Sequence, residues 1–164
     1  MSKKKKTVRT NAMRVLDAAK IPYQALFFSP EIHSAMGVAE AVGLPPAQVF
    51  KTLVLLPERG KPLLVMTPGD GILDLKKVAH AAGYKKVQMA PHKQAEQLTG
   101  LKVGGISALA LLQKGFAVYI DASAGQWEEV VVSAGQRGVN LRLSTDDLIR
   151  ITGAQITDVV HQEA

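Results

Sequence analysis

Short apolar runs and amphipathic segments follow one another along the chain, with Gly, Pro or Ser residues between them. Apolar runs of this length, rich in branched and aromatic residues, are typical of strands. They predict strands at residues 23–28, 49–56, 63–67, 116–120, 128–133 and 139–143. A Pro-Glu-Arg-Gly turn separates the second run from the third, which predicts a hairpin or two neighbouring strands of one sheet.

Residues that commonly cap helices precede most of the amphipathic segments. Predicted helices begin after Thr10 or Asn11, after Ser34, after Asp74 and after Ser144, and a short helix covers residues 91–98. Residues 154–160 receive no assignment. Because helices and strands intermix without a regular βαβ period, the pattern predicts a single α+β domain with a mixed, curved or barrel-like sheet and surrounding helices.

Charge is distributed unevenly along a chain of one-domain length. The 164 residues are 47% apolar, which suffices for one sizeable core. Lys and Arg number 20 against 14 Asp and Glu, and residues 1–14 contain six of the bases and no acid. We therefore expect a basic flexible tail over residues 1–10 and a folded domain over residues 11–164. The tail either binds a polyanion such as RNA or acts as a solubilising arm, and its charge fits both.

Several kinds of chemistry lack the residues they need. The absence of cysteine excludes disulfides, thiolate zinc sites and a cysteine nucleophile. The four histidines are scattered singly, and there is no metal-binding, phosphate-loop, dinucleotide or nucleophilic-serine motif. No apolar stretch approaches the roughly 18 residues of a membrane span, and no secretion signal follows the lysines. We expect a cytoplasmic protein without metal or cofactor; an enzyme of this kind would work by positioning and electrostatic stabilisation.

A second group of bases lies in the middle of the chain. Residues 75–95 contain Lys76, Lys77, Lys85, Lys86 and Lys93 and no acid. A solvated helix face beside an edge strand protected by lysine explains them as well as an RNA contact does.

Three segments could carry chemistry. Lys51 interrupts the apolar strand 49–56, so it is either a lysine whose ammonium reaches solvent or a fixed charge in a pocket. Adjacent Gly104 and Gly105 either let the backbone approach a ligand or form an ordinary turn. Segment 133–138 combines a hydroxyl, two glycines and a guanidinium, which suits a tight turn or a pocket for an anion or ester.

Taken together, four segments resemble the YbaK/EbsC family of Cys-tRNA(Pro) deacylases in their order and spacing. They are residues 49–53 (VFKTL), 73–78 (LDLKKV), 103–107 (VGGIS) and 132–138 (VSAGQRG). The resemblance extends from about residue 11 to residue 160. It implies a barrel-like α+β editing domain, related to the insertion domain of bacterial prolyl-tRNA synthetase, that acts as a separate protein.

The resemblance also implies which residues form the site. Lys51 falls on the family's essential lysine, and Gly104 and Gly105 fall on the loop placed against the scissile carbonyl. The residues implied in substrate binding are Tyr23, Phe28, Thr52, Ile106, Ser107, Ser133, Gly135 and Asn140. Two positions depart from the family pattern. Ala108 replaces a common proline, so we expect a less rigid loop, and Asn140 replaces a common aspartate and supplies no negative charge.

The implied activity is hydrolysis of the ester in proline tRNA mischarged with cysteine. In this family the substrate's own thiol attacks its ester carbonyl, so the protein needs no nucleophile and the absence of cysteine is expected. Three alternatives stay open: a deacylase for another small amino acid such as Ala-tRNA(Pro), an inactive module that binds tRNA or a synthetase, and a hydrolase of small aminoacyl esters. The expected partner is tRNA, and the resemblance leaves open prolyl-tRNA synthetase as a second partner.

Overall fold

The strands of the protein form two sheets in a computed structural model that describes residues 8–161. The antiparallel first sheet contains, in spatial order, β1 (Tyr23–Phe27), β7 (Val139–Ser144) and β6 (Glu129–Gln136). The second sheet contains β4 (Val87–Met89), β2 (Phe50–Pro57), β3 (Leu63–Pro68), β5 (Ala117–Asp121) and β8 (Gln155–Thr157). In it β2 is antiparallel to both β4 and β3, whereas β5 is parallel to β3 and β8.

Five α-helices lie within the described residues. They are α1 (Asn11–Ala18), α2 (Ala35–Val42), α3 (Leu75–Ala82), α4 (His92–Thr99) and α5 (Thr145–Thr152). The caps predicted for four of them are confirmed: Thr10, Ser34, Asp74 and Ser144 each accept a hydrogen bond from a first-turn N–H. Short 3₁₀ segments span Pro46–Gln48, Leu109–Lys114 and Ala122–Gln126. Within residues 8–161 none of the helices has the length and apolar content to cross a membrane.

The predicted α+β class is confirmed, and the structure refines the form of the sheet. The described strands do not close into a barrel, because the two sheets are joined only by an isolated parallel bridge between Val49 and Val131. The sequence pattern missed β4, β8 and the 3₁₀ segment Leu109–Lys114. Three-residue strands produce no apolar run, and two of the three residues in β4, Gln88 and Met89, are exposed.

Apolar side chains cover both faces of the five-stranded sheet. Phe50 and Met66 face the three-stranded sheet and share a core cluster with its residue Leu141. On the opposite face, Leu55 packs with Val78 of α3 in a second cluster. The alternation of β2 therefore places Phe50 and Val54 between the two sheets and Leu53 and Leu55 under α3.

A third apolar cluster lies where the two sheets meet. Val38 and Ala39 of α2 pack there with Val49 and Val131, the two residues of the parallel bridge. Beyond the bridge, β2 pairs with β3 and β4 while β6 pairs with β7. The two strands thus diverge, and a gap opens between them.

The predicted basic tail lies mostly outside the described residues, which begin at Val8. Val8 packs against the main core cluster, and Arg9 forms an ion pair with Asp17 of α1. These contacts, with the Thr10 cap, attach the last residues of the predicted tail to the domain.

Candidate active site

The gap between β2 and β6 is a cavity of about 200 Å³. Its walls come from the start of α2, from β2, from the β4–α4 segment, from the loop at residues 103–106, and from one residue each of β6 and β7. The site therefore forms where two sheets separate, which is a common place for a ligand to enter a fold.

One edge of β2 presents unpaired backbone groups to this cavity. On that edge the Val54 carbonyl accepts a hydrogen bond from the Ala90 N–H at 3.0 Å, and β4 pairs with β2 only at residues 55–57. Because alternate residues of a strand direct their N–H and C=O groups to the same edge, those of Thr52 also point there. Among the strands of residues 8–161, none pairs with this edge between the Val49 bridge and β4. Thr52 thus offers the cavity one backbone donor and one acceptor.

Three buried polar side chains line the same space. Ser133 and Asn140 face each other across the β6–β7 ladder and are 9% and 5% exposed. The Ser133 hydroxyl oxygen accepts a hydrogen bond from the Gly135 N–H at 3.1 Å, which leaves its proton free to donate. The buried hydroxyl of Thr52 has no hydrogen-bond partner within residues 8–161. Buried polar groups without partners are rare, so the Thr52 hydroxyl in the cavity wall is available to a ligand.

The cavity carries positive charge and no acid. Of residues 8–161, Lys51 is the only lysine that lines it, His33 and His92 also line it, and no Asp or Glu does. Lys51 is half-buried and forms no ion pair within the described part of the chain. An unpaired ammonium beside free backbone donors suits an oxyanion or a phosphate. Among residues 8–161 no three His, Asp or Glu side chains cluster as a metal site would require.

The glycine loop places only one of its two glycines at the cavity. Gly104 lines it with φ of +94°, a conformation that disfavours any side chain, and a Cβ there would lie 3.0 Å from the Cβ of His33. Gly105 instead packs against the β6–β7 turn, where a Cβ would lie 2.9 Å from the backbone nitrogen of Arg137. Both positions require glycine, one for backbone conformation at the cavity and the other for close packing behind it.

Comparison with known proteins identifies the family. The model of the aminoacyl-tRNA editing domain family matches residues 29–151, a range that contains every residue lining the cavity. This chain belongs to the aminoacyl-tRNA editing domain family. The family predicted from the four sequence segments is therefore confirmed. A protein of Enterococcus faecalis, whose name proposes a Cys-tRNA(Pro)/Cys-tRNA(Cys) deacylase, is 38% identical over 99% of this chain and 100% of its own length.

Two further similarities connect the editing domain to prolyl-tRNA synthetase. Proline–tRNA ligase of Acidithiobacillus ferrooxidans is 35% identical over 48% of this chain and 14% of the ligase. A crystal structure described as a proposed trans-editing enzyme for prolyl-tRNA synthetase has a TM-score of 0.78 and 25% identity, and the match covers 95% of this chain and all of the other. The chain is thus similar to a segment of the synthetase and to a whole separate protein.

The structure of this editing domain brings together six of the eleven predicted site residues. Those that line the cavity are Lys51, Thr52, Gly104, Ile106, Ser133 and Asn140. The other five do not line it. Gly105, Ser107 and Gly135 lie behind the loop, where the hydroxyl of buried Ser107 accepts a hydrogen bond from the Ala110 N–H at 3.4 Å and caps a 3₁₀ turn.

The two predicted aromatic residues belong to other parts of the editing domain. Phe28 packs in the cluster under α2, and its N–H donates to the Gly138 carbonyl at 3.0 Å. Tyr23 is the first residue of β1, whereas Phe28 follows the last. The Tyr23 hydroxyl lies 3.5 Å from the Arg9 guanidinium. Burial, with a smaller contribution from Asp17, raises the pKa of Tyr23 above its usual value. Any contact of these rings with a substrate must therefore be made outside the cavity walls.

Two histidines and two methionines are among the cavity residues that were not predicted from the sequence. His33 and His92 are far apart in the chain, and nothing in their spacing indicates that both line one cavity. The His33 Nε2 lies 3.0 Å from the Pro30 carbonyl, just before α2. Met36 and Met89, which are 51% and 42% exposed, add apolar surface to the walls. Large exposed apolar side chains often mark binding surfaces, so the exposure of these two methionines is a signal for the site, but only the structure reveals it.

Ala108, which replaces the family's proline, adopts the conformation that proline would impose. Its φ is −63°, the value to which a proline ring restricts the backbone, and its side chain is buried. Its carbonyl accepts a hydrogen bond from the Leu111 N–H at 3.2 Å. The backbone at Ala108 therefore lies in the region that a proline would also adopt.

Proposed function

We propose that this protein is a trans-acting editing enzyme that hydrolyses the ester of tRNA mischarged with cysteine, with Cys-tRNA(Pro) as its substrate. The Enterococcus faecalis relative, which matches nearly the whole chain, and the similar trans-editing structure support this activity. The observation that carries the proposal is the make-up of the cavity. It has an unpaired ammonium and free backbone donors, but within residues 8–161 no thiol and no hydroxyl hydrogen-bonded to a histidine.

The missing nucleophile comes from the substrate. The cysteine Sγ attacks the carbonyl carbon of its own ester, and a tetrahedral oxyanion forms. When this collapses, the bond to the terminal ribose oxygen breaks, and the thiol proton is transferred to that oxygen. The products of this step are free tRNA and a cyclic thioester, and attack of water on the thioester carbonyl then completes the hydrolysis and releases cysteine. Holding the thiol within a few ångströms of the carbonyl makes the step unimolecular, which is the entropic part of catalysis.

Groups of the protein stabilise the oxyanion. Gly104, Thr52 and Lys51 line the cavity, and we assign two backbone N–H groups and one ammonium to the oxyanion, whereas the Gly105 N–H donates to the Lys102 carbonyl at 2.7 Å. Gly105 therefore contributes through packing, and Gly104 and Thr52 provide the donors. Removing one donor of this kind typically lowers the rate by about 10²–10³.

The apolar part of the wall suits a small side chain. Val54, Ala90, Ala95 and Ile106 line it and are nearly completely buried. A thiol and a methyl group fit such a surface about equally well, and this favours Ala-tRNA(Pro) as the second candidate substrate. Alanine has no side-chain nucleophile, so its ester would require an attacking water.

The acceptor arm of tRNA lies along the lysines beside the β4–α4 wall. Lys85, Lys86 and Lys93 are exposed on either side of the residues that line the cavity. Lys77, by contrast, donates to Asp158 and to the Val160 carbonyl, each at 2.8 Å, and is already neutralised. Selection of proline tRNA belongs to a prolyl-tRNA synthetase that already holds it, in the cytoplasm.

The test is deacylation of tRNA(Pro) charged separately with cysteine, alanine and proline. We expect rapid loss of cysteine, slower loss of alanine and none of proline. Lys51→Ala should lower kcat for the cysteinyl substrate by about 10²-fold or more, because the oxyanion loses the ammonium of the one lysine that lines the cavity within residues 8–161. Lys76→Ala is the matched control, since Lys76 is exposed and does not line the cavity.

Other outcomes would contradict the proposal. Tight binding of charged tRNA without turnover would make the protein an inactive tRNA-binding module. Equal rates on tRNA and on small cysteine esters would make it a general ester hydrolase. Full activity in Lys51→Ala, with an unchanged melting temperature, would remove the lysine from the mechanism.

A further inference from the structure

Val103, which precedes the two glycines, is held at both of its backbone polar atoms by charged side chains. Glu96 of α4 accepts the Val103 N–H through Oε2 at 2.8 Å, and Arg137 of the β6–β7 turn donates from Nε to the Val103 carbonyl at 2.7 Å. Hydrogen bonds with one charged partner are roughly twice as strong as neutral ones. Within the described chain neither Glu96 nor Arg137 forms an ion pair, so both charges act on this one residue.

The two side chains approach the loop from different elements. Packing adds a third constraint. Gly105 lies so close to the β6–β7 turn that a Cβ would be 2.9 Å from the backbone nitrogen of Arg137 and 3.0 Å from the carbonyl carbon of Gln136. Gly104 lies between the held residue and the packed one. Its backbone position is therefore set from α4 on one side and from the turn on the other.

We propose that Glu96 and Arg137 are positioning residues for the deacylation reaction. Neither lines the cavity, so they act through Val103 and fix the point at which the Gly104 N–H meets the oxyanion. The inference rests on the proposed function. It assigns a role to the guanidinium of segment 133–138 and to a glutamate that no sequence motif marked.

The test compares Glu96→Ala and Arg137→Ala with controls that lose an equivalent bond elsewhere. Glu58→Ala removes a carboxylate that accepts the Lys85 N–H at 2.9 Å, and Arg142→Ala removes a guanidinium bonded to Glu129, both outside the cavity. We expect the Glu96 and Arg137 variants to lose kcat, by up to about 10²-fold, the cost of a misplacement of about 1 Å. The KM for Cys-tRNA(Pro) and the controls' kcat should change little.

Conservative variants separate the hydrogen bond from the charge. Glu96→Gln keeps an acceptor oxygen at the same distance and should retain most of the activity that Glu96→Ala loses. Arg137→Lys keeps the charge but not the planar Nε donor, so its kcat should fall as in Arg137→Ala. Equal losses in Glu96→Gln and Glu96→Ala would overturn the proposal. A raised KM at unchanged kcat in Arg137→Ala would also overturn it and make Arg137 an RNA contact.

Hydrogen exchange provides a readout that is independent of activity. Loss of the Glu96 carboxylate should accelerate exchange of the Val103 amide in Glu96→Ala and leave it unchanged in Glu58→Ala. Unchanged exchange, or wild-type kcat in both alanine variants of a protein that deacylates Cys-tRNA(Pro), would refute the positioning role alone. Failure of the wild-type protein to deacylate any charged tRNA, with accelerated Val103 exchange in Glu96→Ala, would instead refute the proposed function.

Discussion

Thr52 and Thr67 offer a matched test of whether the cavity has been kept for function rather than for stability. The two residues lie on the paired strands β2 and β3, and each has a buried hydroxyl with no hydrogen-bond partner within residues 8–161. Thr52 lines the cavity and Thr67 does not. Valine has nearly the shape of threonine, so Thr52→Val and Thr67→Val each remove one unpaired polar group and little else.

Both substitutions should stabilise the protein. A buried hydroxyl without a partner costs about 1–3 kcal/mol, and the exposed fractions of Thr52 and Thr67 are 9% and 0%. The free energy of unfolding should therefore rise by up to that amount in each variant, with the larger gain at Thr67. For a domain of this size the melting temperature rises by roughly 2–4 °C per kcal/mol. Thermal and urea unfolding would measure the change.

Only Thr52→Val should also impair deacylation. An ester in the cavity lies beside the Thr52 side chain, which Val replaces with a group that cannot hydrogen-bond. We expect kcat/KM for Cys-tRNA(Pro) to fall in Thr52→Val and to stay at the wild-type value in Thr67→Val. A stabilised Thr52→Val with full activity would refute the reasoning. So would a parallel loss of activity in both variants, because the effect would then not be specific to the cavity.

Three further predictions follow from the structure. Gly104→Ala should lower the free energy of unfolding by about 1–3 kcal/mol. Gly83→Ala is the control, because Gly83 has a similar φ of +81° but open surroundings, and it should lose a similar amount of stability. Only Gly104→Ala should lose most of its deacylation activity, and equal activities in the two variants would contradict a role of Gly104 in the site. Burial raises the pKa of Tyr23 and Tyr119, so stability should be full below the ordinary tyrosine pKa of about 10 and fall as pH rises through the raised values. Unfolding curves of Tyr119→Phe should show a smaller alkaline loss, and an unchanged loss would contradict the assignment. The KM for charged tRNA should rise with salt concentration, and a plot of log KM against log salt concentration should have a slope of about 0.7–0.9 for each phosphate contact. A KM that does not depend on salt would indicate that the lysines serve solubility and do not bind tRNA.

Local signals in the sequence were sufficient for most elements of the fold. Ser34, Asp74 and Ser144 cap helices because their side chains accept hydrogen bonds from nearby residues, and nearby residues are visible in a sequence. The apolar run at residues 49–56 likewise identified β2, with Lys51 out of pattern. The form of the sheet could not be predicted as well from the sequence, because the divergence of β2 and β6 depends on pairing between segments far apart in the chain.

The site was predicted in part for the same reason. Lys51, Gly104 and Ser133 lie in segments whose local sequence is unusual, and all three line the cavity. His33 and His92 have ordinary local sequences and come to line the same cavity only through tertiary structure. Within the glycine pair, which residue faces the ligand depends on the neighbouring β6–β7 turn, and residue type alone does not distinguish Gly104 from Gly105.

The composition of the cavity suggests how such an enzyme would spare correctly charged tRNA. A small apolar wall discriminates between substrates that differ by one methylene group by only about 1–3 kcal/mol, which is too little to protect prolyl-tRNA by fit alone. A site without a nucleophile imposes a second condition, because an ester reacts only if its own side chain can attack. Proline fails that condition whatever its fit, and alanine can be lost only through the slower attack of water. On this view the absence of cysteine and of a serine–histidine pair at the cavity is a source of specificity, and adding a nucleophile there would be expected to cost accuracy.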